Sequence, residues 1–192
     1  QAEHLSQLAR TTVFRRGSLE LDPNLEIPAY QSALDMHWMP GSYHSELTKN
    51  DIAAGALYDA GGIYVMTSGN LGPYNDGAAY SAIAYLRKAF PNFRPGEILD
   101  QGCTVGHNTL PFKDAWPKAA VTGIDLSAAV LRYAHARSVA MGYSINYSQQ
   151  NAEQTKFDDK SFDADFKSFT FIRGEQADKL KISSKNIFSF SY

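Results

Sequence analysis

From Glu97 to His107 the chain reads Glu-Ile-Leu-Asp-Gln-Gly-Cys-Thr-Val-Gly-His. A short apolar strand ends in a carboxylate and runs directly into a turn punctuated by Gly102 and Gly106. Glycine in such a turn lets the backbone approach a bound nucleotide-like ligand where a side chain would block it. A second acidic residue, Asp125 in Val-Thr-Gly-Ile-Asp-Leu-Ser, follows 19 residues after Gly106. That is close to the spacing at which an α/β nucleotide fold places a ribose-binding carboxylate. The two features together read as a cofactor site on a strand-turn-helix unit.

The flanking pattern extends that unit. The sequence predicts a strand over 97–101, a helix from Gly106, a strand over 120–125, a helix N-capped by Ser127 and ended at Gly142, and a strand over 145–149. Strands alternating with helices at this spacing imply crossover connections and a parallel sheet with its ligand at the carboxyl ends. Pro111 cannot donate to the carbonyl of His107, so the first core helix should be kinked or start late. Upstream, Ala79, Ala82, Ile83, Leu86 and Phe90 recur at helical spacing, Arg87 and Lys88 suit the negative pole of the helix dipole, and Pro91 stops the helix.

A glycine turn of this kind could also belong to the nicotinamide or flavin fingerprint Gly-x-Gly-x-x-Gly. Counted from Gly102, the second and third glycine positions hold Thr104 and His107, so that reading fails. The chain instead resembles the class I S-adenosylmethionine-dependent methyltransferases. Their first motif, Asp/Glu-x-Gly-x-Gly-x-Gly, is matched by Asp100, Gly102 and Gly106, with Thr104 in place of the middle glycine. Their Asp/Asn-Ala-Glu feature is matched by Asn151-Ala152-Glu153, and Phe157 to Asp163 is similar to the approach to the fourth strand. The resemblance covers roughly 95–163. It implies a Rossmann-like α/β parallel sheet of the class I type, incomplete at about four strands, with an N-terminal helical lid.

The resemblance implies S-adenosyl-L-methionine as cofactor and a small molecule as methyl acceptor. Asp100 would hold the methionine ammonium, and the turn from Gly102 through Cys103 and Thr104 to Gly106 would pass under the methionine and ribose. Asp125 would accept from the ribose hydroxyls and Asn151 from the adenine amino group, with Leu126 and Ala152 packed on the adenine. Each has a plain competitor: Asp100 as a turn cap, Asn151 as a turn residue. A β-branched Thr104 at positive φ would be strained, unless it adopts a standard conformation and turns its hydroxyl to the ligand.

Composition narrows the field. The chain has 192 residues, 44% of them hydrophobic, enough for one sizeable core. A net charge of -2 and scattered Lys and Arg disfavour a nucleic-acid partner. The single cysteine, Cys103, rules out an intrachain disulfide and fits a cytoplasmic setting. It reads better as a small residue filling a buried turn than as a nucleophile. No window is long and apolar enough for a membrane span. The chain begins at Gln1 rather than Met.

The chain divides into an arm (1–28), a helical substrate-side lid (29–93), the cofactor-binding core (94–163) and a divergent tail (164–192). The tail, rich in Phe, Lys and Ser without periodicity, cannot supply three further strands. A truncated or frameshifted product is therefore expected, with a non-catalytic S-adenosylmethionine-binding module as the alternative to an enzyme. No catalytic residue is assigned. His37, Tyr43, His44, Glu46, Tyr74, Asn75 and Asp76 are candidates for a lid with a general base among them. The spacing of His37, His44 and Glu46 matches no strong metal pattern. His107 and His135 read as structural, and oligomeric state is not legible.

Overall fold

A computed structural model describes residues 17–29, 43–62, 68–70, 72 and 74–167. Residues 1–16, 30–42 (His37 among them), 63–67, 71, 73 and 168–192 lie outside the described residues.

Among the described residues five strands form one sheet: β1 (Leu19–Glu20), β2 (Glu97–Gln101), β3 (Ala120–Asp125), β4 (Asn146–Gln149) and β5 (Ala164–Lys167). Their order is β1-β4-β3-β2-β5, and every pairing is parallel. The helices are α1 (Ala53–Leu57), which runs into a π-type turn at Tyr58–Gly62, then α2 (Gly77–Ala89), α3 (Thr109–Ala115) and α4 (Ala128–Ala140). The chain steps outward from β2 through β3 to β4, then returns to the other side of β2 to place β5. That reversal opens a crevice at the carboxyl ends, where open α/β sheets take their ligands.

The expected parallel sheet of about four strands is borne out, with five strands among the described residues. Leu19–Glu20, read as part of an arm, adds an edge strand beside β4, with Leu19 opposite Tyr147. Ala164–Lys167, assigned by sequence to the tail, pairs along β2 from Ile98 to Gln101. Asp and Lys are poor strand formers on their own, but tertiary contacts override that preference. The Asp163 carboxylate accepts from the backbone N–H groups of Gly96 (2.8 Å) and Glu97 (3.1 Å). Three residues on, Phe166 stacks on Phe112 of α3 at 3.9 Å between ring centroids.

One face of the sheet carries the main core. Ile98, Val121, Tyr147, Ala164 and Phe166 pack against Leu86 of α2, Phe112 of α3 and Leu131 and Ala134 of α4. Leu99 and Ile124 face the other way, toward Phe162, Phe157 and Ala152. Helix α2 buries Ala79, Ala82, Ile83 and Leu86 as its spacing predicts, whereas Phe90 ends up exposed as the C-cap. Ser127 caps α4 by accepting from the Val130 N–H, and Gly142 at φ 83° closes the helix. The first core helix begins at Thr109, later than Gly106. Pro111 therefore falls in the first turn, where a missing N–H leaves no helical bond unmade.

Candidate active site

The turn after β2 is held to β3 by its own backbone. Gly102 and Cys103 both donate their N–H groups to the Ile124 carbonyl (2.9 and 3.0 Å), and Gly106 donates to the Cys103 carbonyl (2.9 Å). Gly102 and Gly106 take φ of 69° and 82°, the left-handed region open to glycine. Gly106 is also sterically required: a Cβ there would stand 2.6 Å from the Tyr147 hydroxyl. Thr104 adopts φ 46°, so the strained alternative is the one realised. It is held there by its N–H donating to Asp125 Oδ2 at 3.0 Å and by a side-chain hydrogen bond with Tyr58.

Cys103 is buried, with its Sγ beside Gly123 and the Tyr147 ring. Burial pushes its thiol well above the ordinary range, and the Asp125 and Asp100 carboxylates add to the rise. It fills the turn and offers no thiolate.

Asp100, at the carboxyl end of β2, is fully buried and accepts from the Thr109 hydroxyl at 2.6 Å. It therefore ties the strand to the start of α3. Asp125 accepts from Thr104 through Oδ2 and from the Ser127 N–H through Oδ1 (3.0 Å each), leaving each oxygen further lone pairs. Desolvation raises its carboxyl, against the lowering effect of the Ser127, Thr104 and Leu126 backbone hydrogen bonds. Further donors, such as a vicinal diol, would offset that desolvation. Asn151 follows β4, and its Oδ1 accepts from the Glu153 N–H at 2.9 Å, so it is in part the turn residue of the competing reading. Leu126 and Ala152 follow β3 and β4 and are both partly exposed.

Residues not singled out by sequence complete the surroundings. Tyr58, in the π-type turn, is 4% exposed and lies between Thr104, Tyr43 and His107. Burial pushes its hydroxyl up to about 12. Next to it, Asp59 accepts from His107 Nε2 (2.6 Å) and the Tyr133 hydroxyl (2.7 Å), and pairs with Arg137 Nε (3.3 Å). Burial works to raise the Asp59 carboxyl, but the His107 and Tyr133 hydrogen bonds and the Arg137 charge outweigh it and bring it to about 2. His107 is thus buried and pairs with an acid. Glu46 is ion-paired to Arg132 at 2.9 Å, and Tyr74 is 66% exposed. Among the described residues no three His, Cys, Asp or Glu side chains are grouped to hold a metal, and no helix is long and apolar enough to cross a membrane.

A parallel sheet with a strand-order reversal, a glycine turn and two carboxylates at the carboxyl ends defines a Rossmann-like α/β protein. Residues 98–183 match a family described as methyltransferase domain. That match, over a little under half of the chain, supports the resemblance to the class I S-adenosylmethionine-dependent methyltransferases. It is 43% identical over 52 residues to trans-aconitate 2-methyltransferase of Rhodopseudomonas palustris, a match covering 27% of this chain and 20% of that protein. The chain therefore spans about a fifth of the curated relative it matches. Among solved structures it is similar to a protein of Methanococcus maripaludis described as an S-adenosyl-L-methionine-dependent methyltransferase. That likeness has a TM-score of 0.55 at 12% identity, over 76% of this chain and 66% of the other. It is also similar to an S-adenosylmethionine-bound amino pentose methyltransferase of Micromonospora echinaspora, with a TM-score of 0.42 at 23% identity over 56% of this chain and 42% of that one.

Proposed function

We propose that this chain binds S-adenosylmethionine in the crevice at the carboxyl ends of β2 and β3 and serves methyl transfer to a small-molecule acceptor. The observation that carries the reading is the commitment of the turn's N–H groups: those of Gly102, Cys103, Thr104 and Gly106 all donate within the protein. A dinucleotide would need free N–H groups to cradle its pyrophosphate. An adenosine joined to an amino acid needs none there, only acceptors for its ribose hydroxyls and ammonium. Asp125 and, buried at the end of β2, Asp100 are such acceptors, and Gly102 leaves the backbone without a side chain in the way.

When bound, the cofactor supplies a methyl carbon on a positively charged sulfur whose departure as a neutral thioether needs no enzyme nucleophile. The chain's own part is to bind, align and exclude water. Asp125 would hold the ribose, Asp100 the ammonium, and Leu126 and Ala152 the adenine faces. Titration calorimetry with S-adenosylhomocysteine and with NAD tests this: the first should bind and the second should not. Binding of NAD alone would overturn it. Asp125→Ala should weaken S-adenosylhomocysteine binding by ~1 to 3 kcal/mol through loss of charge-assisted bonds. Unchanged affinity in a folded variant would place the ribose elsewhere.

Asn151 yields a prediction of opposite sign. Its single oxygen already accepts from the Glu153 N–H and keeps one uncharged lone pair for an adenine amino group, while its amide nitrogen can only donate. Asn151→Asp supplies a second, charged acceptor and should tighten S-adenosylhomocysteine binding by about 0.5 to 1.5 kcal/mol. Weaker binding by the Asp variant in the same titration would remove Asn151 from the adenine site.

A further inference from the structure

We propose that Asp59 is a positioning residue: it fixes the Tyr58 segment against the glycine turn and so sets cofactor affinity without touching the cofactor. The proposal rests on the reading of the turn as the cofactor site. Asp59 draws donors from two separate parts of the core, His107 directly after Gly106, and Tyr133 and Arg137 one turn apart on α4. The carboxylate is held ionised and can only accept, so His107 donates to it through Nε2. The neighbouring Tyr58 is thereby set beside Thr104, whose N–H holds Asp125. Asp59, Tyr58, Thr104 and Asp125 thus form a continuous chain of contacts from α4 to the expected ribose carboxylate.

The backbone around Asp59 also needs an outside anchor. It lies in a π-type turn containing Gly61 at φ 147°, a geometry poorer than regular helix and frequent at functional sites. The rest of the segment docks through individual polar contacts to α4: Ser127 donates to the Tyr43 carbonyl, and Arg132 reaches Glu46 and the Asp51 carbonyl. These contacts are part-buried and bring one α4 donor to each acceptor, whereas Asp59 gathers three donors at one carboxylate.

The test pairs S-adenosylhomocysteine titration with hydrogen exchange across residues 53–62 on the full chain, for wild type, Asp59→Asn and Tyr133→Phe. The amide variant keeps the size but cannot accept from three donors. It should bind about tenfold more weakly and exchange faster over 53–62. Tyr133→Phe, which removes one donor and leaves the charges, should fall between, and it keeps the test informative if Asp59→Asn does not fold. Loosened exchange with unchanged affinity would make Asp59 merely structural and overturn the proposal, as would unchanged exchange. A wild-type chain that binds no S-adenosylhomocysteine overturns the reading of the site and the proposal with it.

Discussion

Gly106→Ala should destabilise the fold by roughly 2 to 5 kcal/mol, a large share of the ~5 to 15 kcal/mol available to a domain. Two effects add. At φ 82° any Cβ is strained, and this Cβ would meet the Tyr147 hydroxyl at 2.6 Å. Tyr147 cannot retreat: it is fully buried on β4, and its hydroxyl pairs with Ser138 of α4 at 2.7 Å. Urea unfolding would measure the loss. A double-mutant cycle separates the two causes, because Tyr147→Phe removes the atom the new methyl strikes. In the Tyr147→Phe background Gly106→Ala should cost measurably less than in the wild type. Strict additivity would mean that backbone strain alone is responsible and that the close approach carries no energy.

The second large effect is on pH. Asp165 is 3% exposed; its Oδ2 accepts from Gln101 Nε2 at 2.6 Å, while Asp165 Oδ1 and Gln101 Oε1 have no hydrogen-bond partner among the described residues. Desolvation is the main cause that raises its carboxyl to about 7; the Asp100 charge adds to the rise, and Lys167 and the Gln101 bond work against it. A folded-state value above the unfolded one means that the folded chain binds the proton more tightly. Stability from this group is therefore fully present below about pH 4 and is lost as pH rises through about 7, by as much as ~4 kcal/mol. Asp59 works in the opposite sense. Its carboxyl lies at about 2, so its contribution is present above about pH 4 and is lost as pH falls toward 2. Stability should peak near pH 4 and fall between about pH 4 and 7. Asp165→Asn, which cannot ionise, should flatten that fall and be the more stable variant at pH 8. An unaltered pH profile in Asp165→Asn would show that Asp165 is not the group titrating.

Local sequence determined the elements whose signals are short-range. The β2 strand, its carboxylate and its two glycines lie within a few residues, and glycine is the residue that adopts positive φ without strain. Ser127 and Gly142 delimit α4 because capping is a matter of adjacent backbone groups, and Pro111 delayed α3 for the same kind of reason. Local sequence also carried the family motifs from Asp100 to Asn151. Tertiary structure decided the rest. Leu19–Glu20 and Ala164–Lys167 have little strand character alone; they become strands because β4 and β2 offer unpaired edges and because Phe112 receives Phe166. Asp59 meets His107, Tyr133 and Arg137 across separations of 48 to 78 residues, and Gln101 meets Asp165 only through the register of β2 with β5. No local pattern encodes such meetings, since they arise when the folded core brings distant polar groups to one place and removes the water that would otherwise satisfy them.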